Sequence, residues 1–151
     1  MNYKNIILQF LAGLLLLLGL KQFFIFADLD LLELISTMGK ESFAYFAGKS
    51  DKFGISTKLN VLINTKIIIG FVAIAINYFI LFTIAYKKKL NWNISLIITI
   101  ILSCIHFFKW IELQPISFMK MNLIAAYMIP AILVLIVSGV FYLLSFKTTS
   151  R

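Results

Sequence analysis

The chain has 151 residues, 62% of them hydrophobic and 13% charged, with a mean hydropathy of +1.00. Soluble domains run at roughly 45–50% apolar and about 25% charged, so these values exclude an ordinary water-soluble fold. The formal charge of +8 reflects 13 lysines and one arginine against six acids, but much of it flanks apolar runs, where lysine meets lipid headgroups. With no aromatic and basic ladder and no glycine-rich phosphate cradle, nucleic acid is not an expected partner.

The first apolar run extends from Asn5 to about Phe26, long enough at 1.5 Å per residue for a hydrocarbon core of roughly 30 Å. The stretch after Leu20 carries no small-x-small cleavage site, and the run exceeds the usual signal core of about 7–15 residues. It reads as a retained helix, with Lys21 near its outer end and able to snorkel outward.

Residues 27–60 differ in kind, holding five of the six acids (Asp28, Asp30, Glu33, Glu41 and Asp51) and the glycines Gly39, Gly48 and Gly54. This outer loop is too polar to span. Leu31, Leu34, Ile35 and Met38 fall at helical spacing opposite Asp30 and Glu33, which predicts a short amphipathic interfacial helix. Phe43, Tyr45 and Phe46 predict a second short piece, with Gly39 as the break between the two. Together Leu31, Leu34, Ile35, Phe43, Tyr45 and Phe46 form an expected docking surface.

Three more apolar runs follow, at 61–86, 93–110 and 121–146, each reaching or approaching the ~20 residues of a spanning helix. Their connections are short, which makes the helices antiparallel neighbours. The sequence therefore predicts one domain over 1–151, an all-α integral membrane protein built as a bundle of four transmembrane helices. Lys4, Lys87 to Lys89, Lys147 and Arg151 crowd helix ends on one side, whereas the lysines of the outer loop are diluted among acids. The rule for basic residues then puts both termini in the cytoplasm. The bias toward lysine, isoleucine, asparagine and phenylalanine points to a bacterial cytoplasmic membrane.

Ionisable groups at membrane depth are functional candidates. His106, Lys109 and Trp110 can share one face if the third helix continues through Trp110, and Glu112 is a carboxylate partner for His106. Trp110 and Lys109 also have the make-up of an interfacial anchor. Lys66 opens the apolar part of the second run. Asn77 lies near the middle of that helix, and interhelical bonding to Ser103 or Ser138 is its expected role. Pro130 interrupts the last run, and Gly13, Gly19, Gly70, Ala125, Ala126 and Gly139 are small enough for close helix contact. Cys104 is the sole cysteine, so neither a disulfide nor thiol exchange is available within the chain. With one histidine and one cysteine no metal site is expected, nor any cofactor.

The outline of a glycine- and leucine-rich first helix, here Ala12 to Leu20 followed by Lys21, then a longer loop and three further helices, is similar to that of the DoxX-like proteins. Lys66 stands where that family tends to carry an acid, and no family is assigned. No catalytic set is visible. The leading expectation is a noncatalytic accessory or structural subunit that docks to a membrane partner. The alternatives are a homo-oligomeric small transporter or channel lined by Asn77, Lys66 and the His106 and Glu112 pair, and an enzyme acting on a lipid or quinone near the outer interface.

Overall fold

The computed structural model describes residues 3–23, 55–109, 111 and 123–148. These form four α-helices, α1 (Tyr3–Phe23), α2 (Ile55–Lys87), α3 (Asn93–Phe107) and α4 (Leu123–Thr148), and no strand among the described residues. In hydrocarbon a helix satisfies its backbone groups within its own segment, which suits long runs of leucine, isoleucine and phenylalanine.

α1 is the centre of the bundle. Of its 21 residues only Tyr3, Lys4 and Ile7 are exposed, because α4 packs along it extensively, α2 joins on a second side and α3 touches a third. The α1–α4 seam has a simple cause in the sequence. Asn5, Ala12 and Gly19 recur every seven residues on α1, Ala131, Ser138 and Ser145 recur likewise on α4, and all six are buried. A seven-residue period keeps one stripe facing one partner, and small side chains let the two backbones approach. The pairing is antiparallel: the Ser138 hydroxyl donates to the Ala12 carbonyl at 2.8 Å, and a Cβ on Gly19 would sit 3.3 Å from the Ala131 carbonyl oxygen and 2.7 Å from Leu135. The same register brings Asn5 level with Ser145.

α2 buries Gly70, Ala73, Ile74, Asn77, Leu81, Ile84 and Ala85, a stripe of helical period, and α3 buries Ser95, Ile98, Leu102, Ile105 and His106. Leu17, Ala73, Ile74, Leu81, Ile98, Leu102 and Ile105 make the apolar core. Outside it the usual arrangement is inverted. The exposed surface carries Ile68, Phe71, Phe79, Ile97, Ile100, Leu133, Ile136 and Leu143, whereas Asn5, Gln9, Gln22, Asn77, Ser138 and Ser145 are all at most 5% exposed. Apolar outside and polar inside is the arrangement that lipid imposes.

Three helices are long and apolar enough to cross a membrane: α1, the Asn64–Lys87 part of α2, and the Tyr127–Lys147 part of α4. The expected four spans are met only in part. α3 has 15 residues, about 22 Å, against a hydrocarbon core of roughly 30 Å. It ends before Trp110 because Phe108 caps it and Lys109 turns into left-handed backbone at φ 52°. α2 departs in the other direction, starting at Ile55 and not Val61, so six residues assigned to the outer loop are helical. Ser56, Thr57, Lys58 and Asn60 do not prevent this, since a helix satisfies its own backbone in water as in lipid. The remainder of that loop lies outside the described residues, including the expected interfacial helices and docking residues Leu31, Leu34, Ile35, Phe43, Tyr45 and Phe46. α4 runs unbroken through Pro130.

A tight turn joins α2 to α3. The Leu90 N–H bonds the Ala85 carbonyl at 2.9 Å and the Lys89 N–H bonds the Tyr86 carbonyl at 3.3 Å, the paired bonds of a Schellman cap. Its left-handed position, normally glycine, is held by Lys89 at φ 51°, which costs about 1–2 kcal/mol.

Candidate functional site

Two levels of the interior hold the candidate polar residues, the first where the C-terminal part of α1 meets the last turn of α3. His106 is 7% exposed and stands on α3 against α2, its Nε2 3.2 Å from the Ile67 carbonyl. A carbonyl can only accept, so Nε2 carries the proton and Nδ1 is the lone-pair nitrogen. Nδ1 is buried and has no hydrogen-bond partner among the described residues. Gly70 makes the arrangement possible, since a Cβ there would overlap the imidazole. Phe71 closes one side, edge to face at 5.3 Å between ring centres.

Lys21 and Lys109 are both near enough for their charges to act on the ring. Lys21 corrects one expectation. Expected to reach outward from the helix end, it is only 9% exposed. Lys109 is exposed, and because the helix stops at Phe107 it does not continue the His106 face; its N–H instead bonds the His106 carbonyl at 3.3 Å. Lys66 is half-buried one turn before Gly70. Glu112 and Trp110 lie outside the described residues, as does every acid of the chain, so the expected His106 and Glu112 pairing falls there too.

The second level is the middle of the bundle. Asn77 is fully buried, and its Oδ1 accepts from the Tyr142 hydroxyl of α4. Gly13 lies directly against it: an added Cβ would stand 2.6 Å from Oδ1 and 2.7 Å from a Leu102 methyl. The expected partners are both otherwise engaged. Ser103 donates to the Thr99 carbonyl of its own helix at 2.9 Å, because a hydroxyl in hydrocarbon reaches the nearest carbonyl one turn back, and Ser138 donates to Ala12. The Asn77 Nδ2 is buried without a partner among the described residues.

Gly139 likewise departs from expectation. Gly13, Gly19 and Gly70 are each pressed against a neighbouring helix, but nothing lies within 4 Å of a Cβ on Gly139. Sequence reading overlooked Asn5, Gln9 and Gln22, buried on α1, and Tyr142. The signal for the first two was present, since Asn5, Gln9 and Gly13 are spaced by four and so share a face with the Asn77 contact. Tyr142 carried none, because a tyrosine near a helix end reads as an interfacial anchor.

Among the described residues no group of three or more histidine, cysteine, aspartate or glutamate side chains comes together. Cys104 is exposed on α3. The described residues make a helical bundle with three helices long and apolar enough to span a membrane, in which Ser138, Tyr142, Asn77 and His106 each tie one helix to another. Comparison with protein-family models, with curated proteins and with solved structures finds no match to this chain.

Proposed function

We propose that this chain is a noncatalytic accessory or structural subunit of a membrane assembly, docking a partner's transmembrane helix on the outward face of α4. The observation that carries this reading is Gly139. A glycine in an exposed helix interior weakens the helix by roughly 0.5–1 kcal/mol relative to alanine, and in membranes small residues mark surfaces where another backbone approaches. Three of the helical glycines meet a helix of this chain; Gly139, ringed by exposed Ile136, Val140 and Leu143, meets none among the described residues. The interior supports the noncatalytic part, because Ser138, Tyr142, Asn77 and His106 each spend a polar atom on an interhelical bond. The setting we propose has both termini cytoplasmic, since Lys4, Lys87, Lys88, Lys89 and Lys147 gather at one end of the bundle, in a bacterial cytoplasmic membrane, for which the bias toward lysine, isoleucine, asparagine and phenylalanine is the support.

A photoreactive residue at Val140, compared with one at Ile100 on α3, tests this in the native membrane. A discrete adduct with a different membrane protein from position 140, absent from position 100 and abolished by Gly139→Leu, is the expected result. An adduct at twice the mass of the chain would replace the accessory reading with a homo-oligomer. The buried Asn77 Nδ2 and His106 Nδ1, unpaired among the described residues, give a transporter formed by such an oligomer its one specific support. Ion and solute flux in liposomes, compared with Asn77→Leu, decides that case.

A further inference from the structure

Beside the turn between α2 and α3 is an open recess of about 630 Å³ lined by Phe82, Ala85, Tyr86, Lys87, Lys89, Leu90 and Trp92. It lies where the apolar span Asn64–Lys87 ends, at the level of lipid headgroups, and its lining changes with depth. Phe82 lies about a turn deeper than Tyr86, and the outer lining adds Trp92, Leu90 and two lysines. Such a gradient matches the two ends of a phospholipid.

The three consecutive lysines do not share a task. Lys88 leaves the recess and places its Nζ 4.4 Å from the centre of the Phe146 ring on α4. Lys87 and Lys89 are exposed and line the recess. Lys89 is held there by left-handed backbone at φ 51°, fixed by the two capping bonds from Lys89 and Leu90. Glycine would relieve the backbone but bring no charge. The Tyr86 hydroxyl and Trp92 indole can donate hydrogen bonds beside these ammonium groups.

We propose that this recess binds one anionic phospholipid, its phosphate between Lys87 and Lys89 and the start of an acyl chain against Phe82 and Ala85. A zwitterionic headgroup brings its own ammonium toward two others and is disfavoured. The site is independent of any partner at α4.

The test is to reconstitute the chain in nanodiscs of equal phosphatidylglycerol and phosphatidylethanolamine, transfer it to mild detergent and count retained lipids by native mass spectrometry. One phosphatidylglycerol stays with the native chain and with Lys88→Gln. In the double variant Lys87→Gln/Lys89→Gln its occupancy falls by at least about tenfold, and Lys87→Arg/Lys89→Arg keeps it. Equal loss in Lys88→Gln would show only general basic attraction and overturn the site. Equal retention of phosphatidylethanolamine, or displacement by millimolar inorganic phosphate, would overturn the choice of an anionic phospholipid.

Discussion

At the scale of single residues, the interior is governed by what a glycine leaves room for. Gly70→Ala forces a methyl group into the His106 ring, and overpacking of this kind destabilises by about 1–3 kcal/mol. The loss should appear as a lower unfolding midpoint in detergent, and it should shrink when His106→Ala is added, since the overlap is then gone. Equal losses with and without His106 would mean that the clash is relieved elsewhere. Tyr142→Phe removes the hydroxyl bonded to Asn77 at the cost of a buried acceptor, for which interhelical bonds in membranes predict roughly 0.6–2 kcal/mol. A double-mutant cycle with Asn77→Ala should recover a coupling of that size; none would show the pair to be incidental. The sequence pointed to His106 and Asn77 as polar residues within apolar runs, because ionisable and amide side chains stand out there. It did not show their partners. Tyr142 lies 65 positions from Asn77, and Ile67 contributes only a backbone carbonyl, which no side chain announces.

Among elements, hydropathy located all four helices to within a few residues at most ends, since lipid requires an unbroken apolar run and nothing else in the chain supplies one. The boundaries that failed are those set by polar chemistry: the start of α2 among serine, threonine and lysine, and the end of α3 at the left-handed Lys109. The order of packing was also hidden. A scan for glycines four apart passes over the seven-residue repeat of Asn5, Ala12 and Gly19 against Ala131, Ser138 and Ser145, which makes α1 the central helix. Ala12→Leu should therefore separate α1 from α4 and abolish recovery of a folded monodisperse chain, whereas Gly139→Ala should raise the stability of the isolated chain by up to about 1 kcal/mol. Thermal unfolding in detergent distinguishes the two. A stable Ala12→Leu variant would contradict the close α1–α4 seam.

For the whole molecule, the register of contacts puts the N-terminus of α1, the C-terminal ends of α2 and α4, and the α2–α3 turn at one end of the bundle. In a Cys104→Ser background, cysteines replacing Lys4, Lys88 and Lys147 should all react with an impermeant maleimide from the same side of intact membranes; labelling of one from the opposite side would break the bundle topology. In the native chain Cys104, exposed on the apolar face of α3 beside Ile100 and Ile101, should stay unlabelled in intact membranes, because an impermeant maleimide does not enter the hydrocarbon. The shortness of α3 adds a mechanical property. Its 15 residues cover about 22 Å, beside an α2 span of 24 residues and about 36 Å, so the hydrophobic belt around the protein is uneven. Lipid next to α3 must thin while lipid next to α2 must thicken or let the helix tilt, at fractions of a kcal/mol per Å. An uneven belt of this kind favours lipid that can change thickness over the width of one helix.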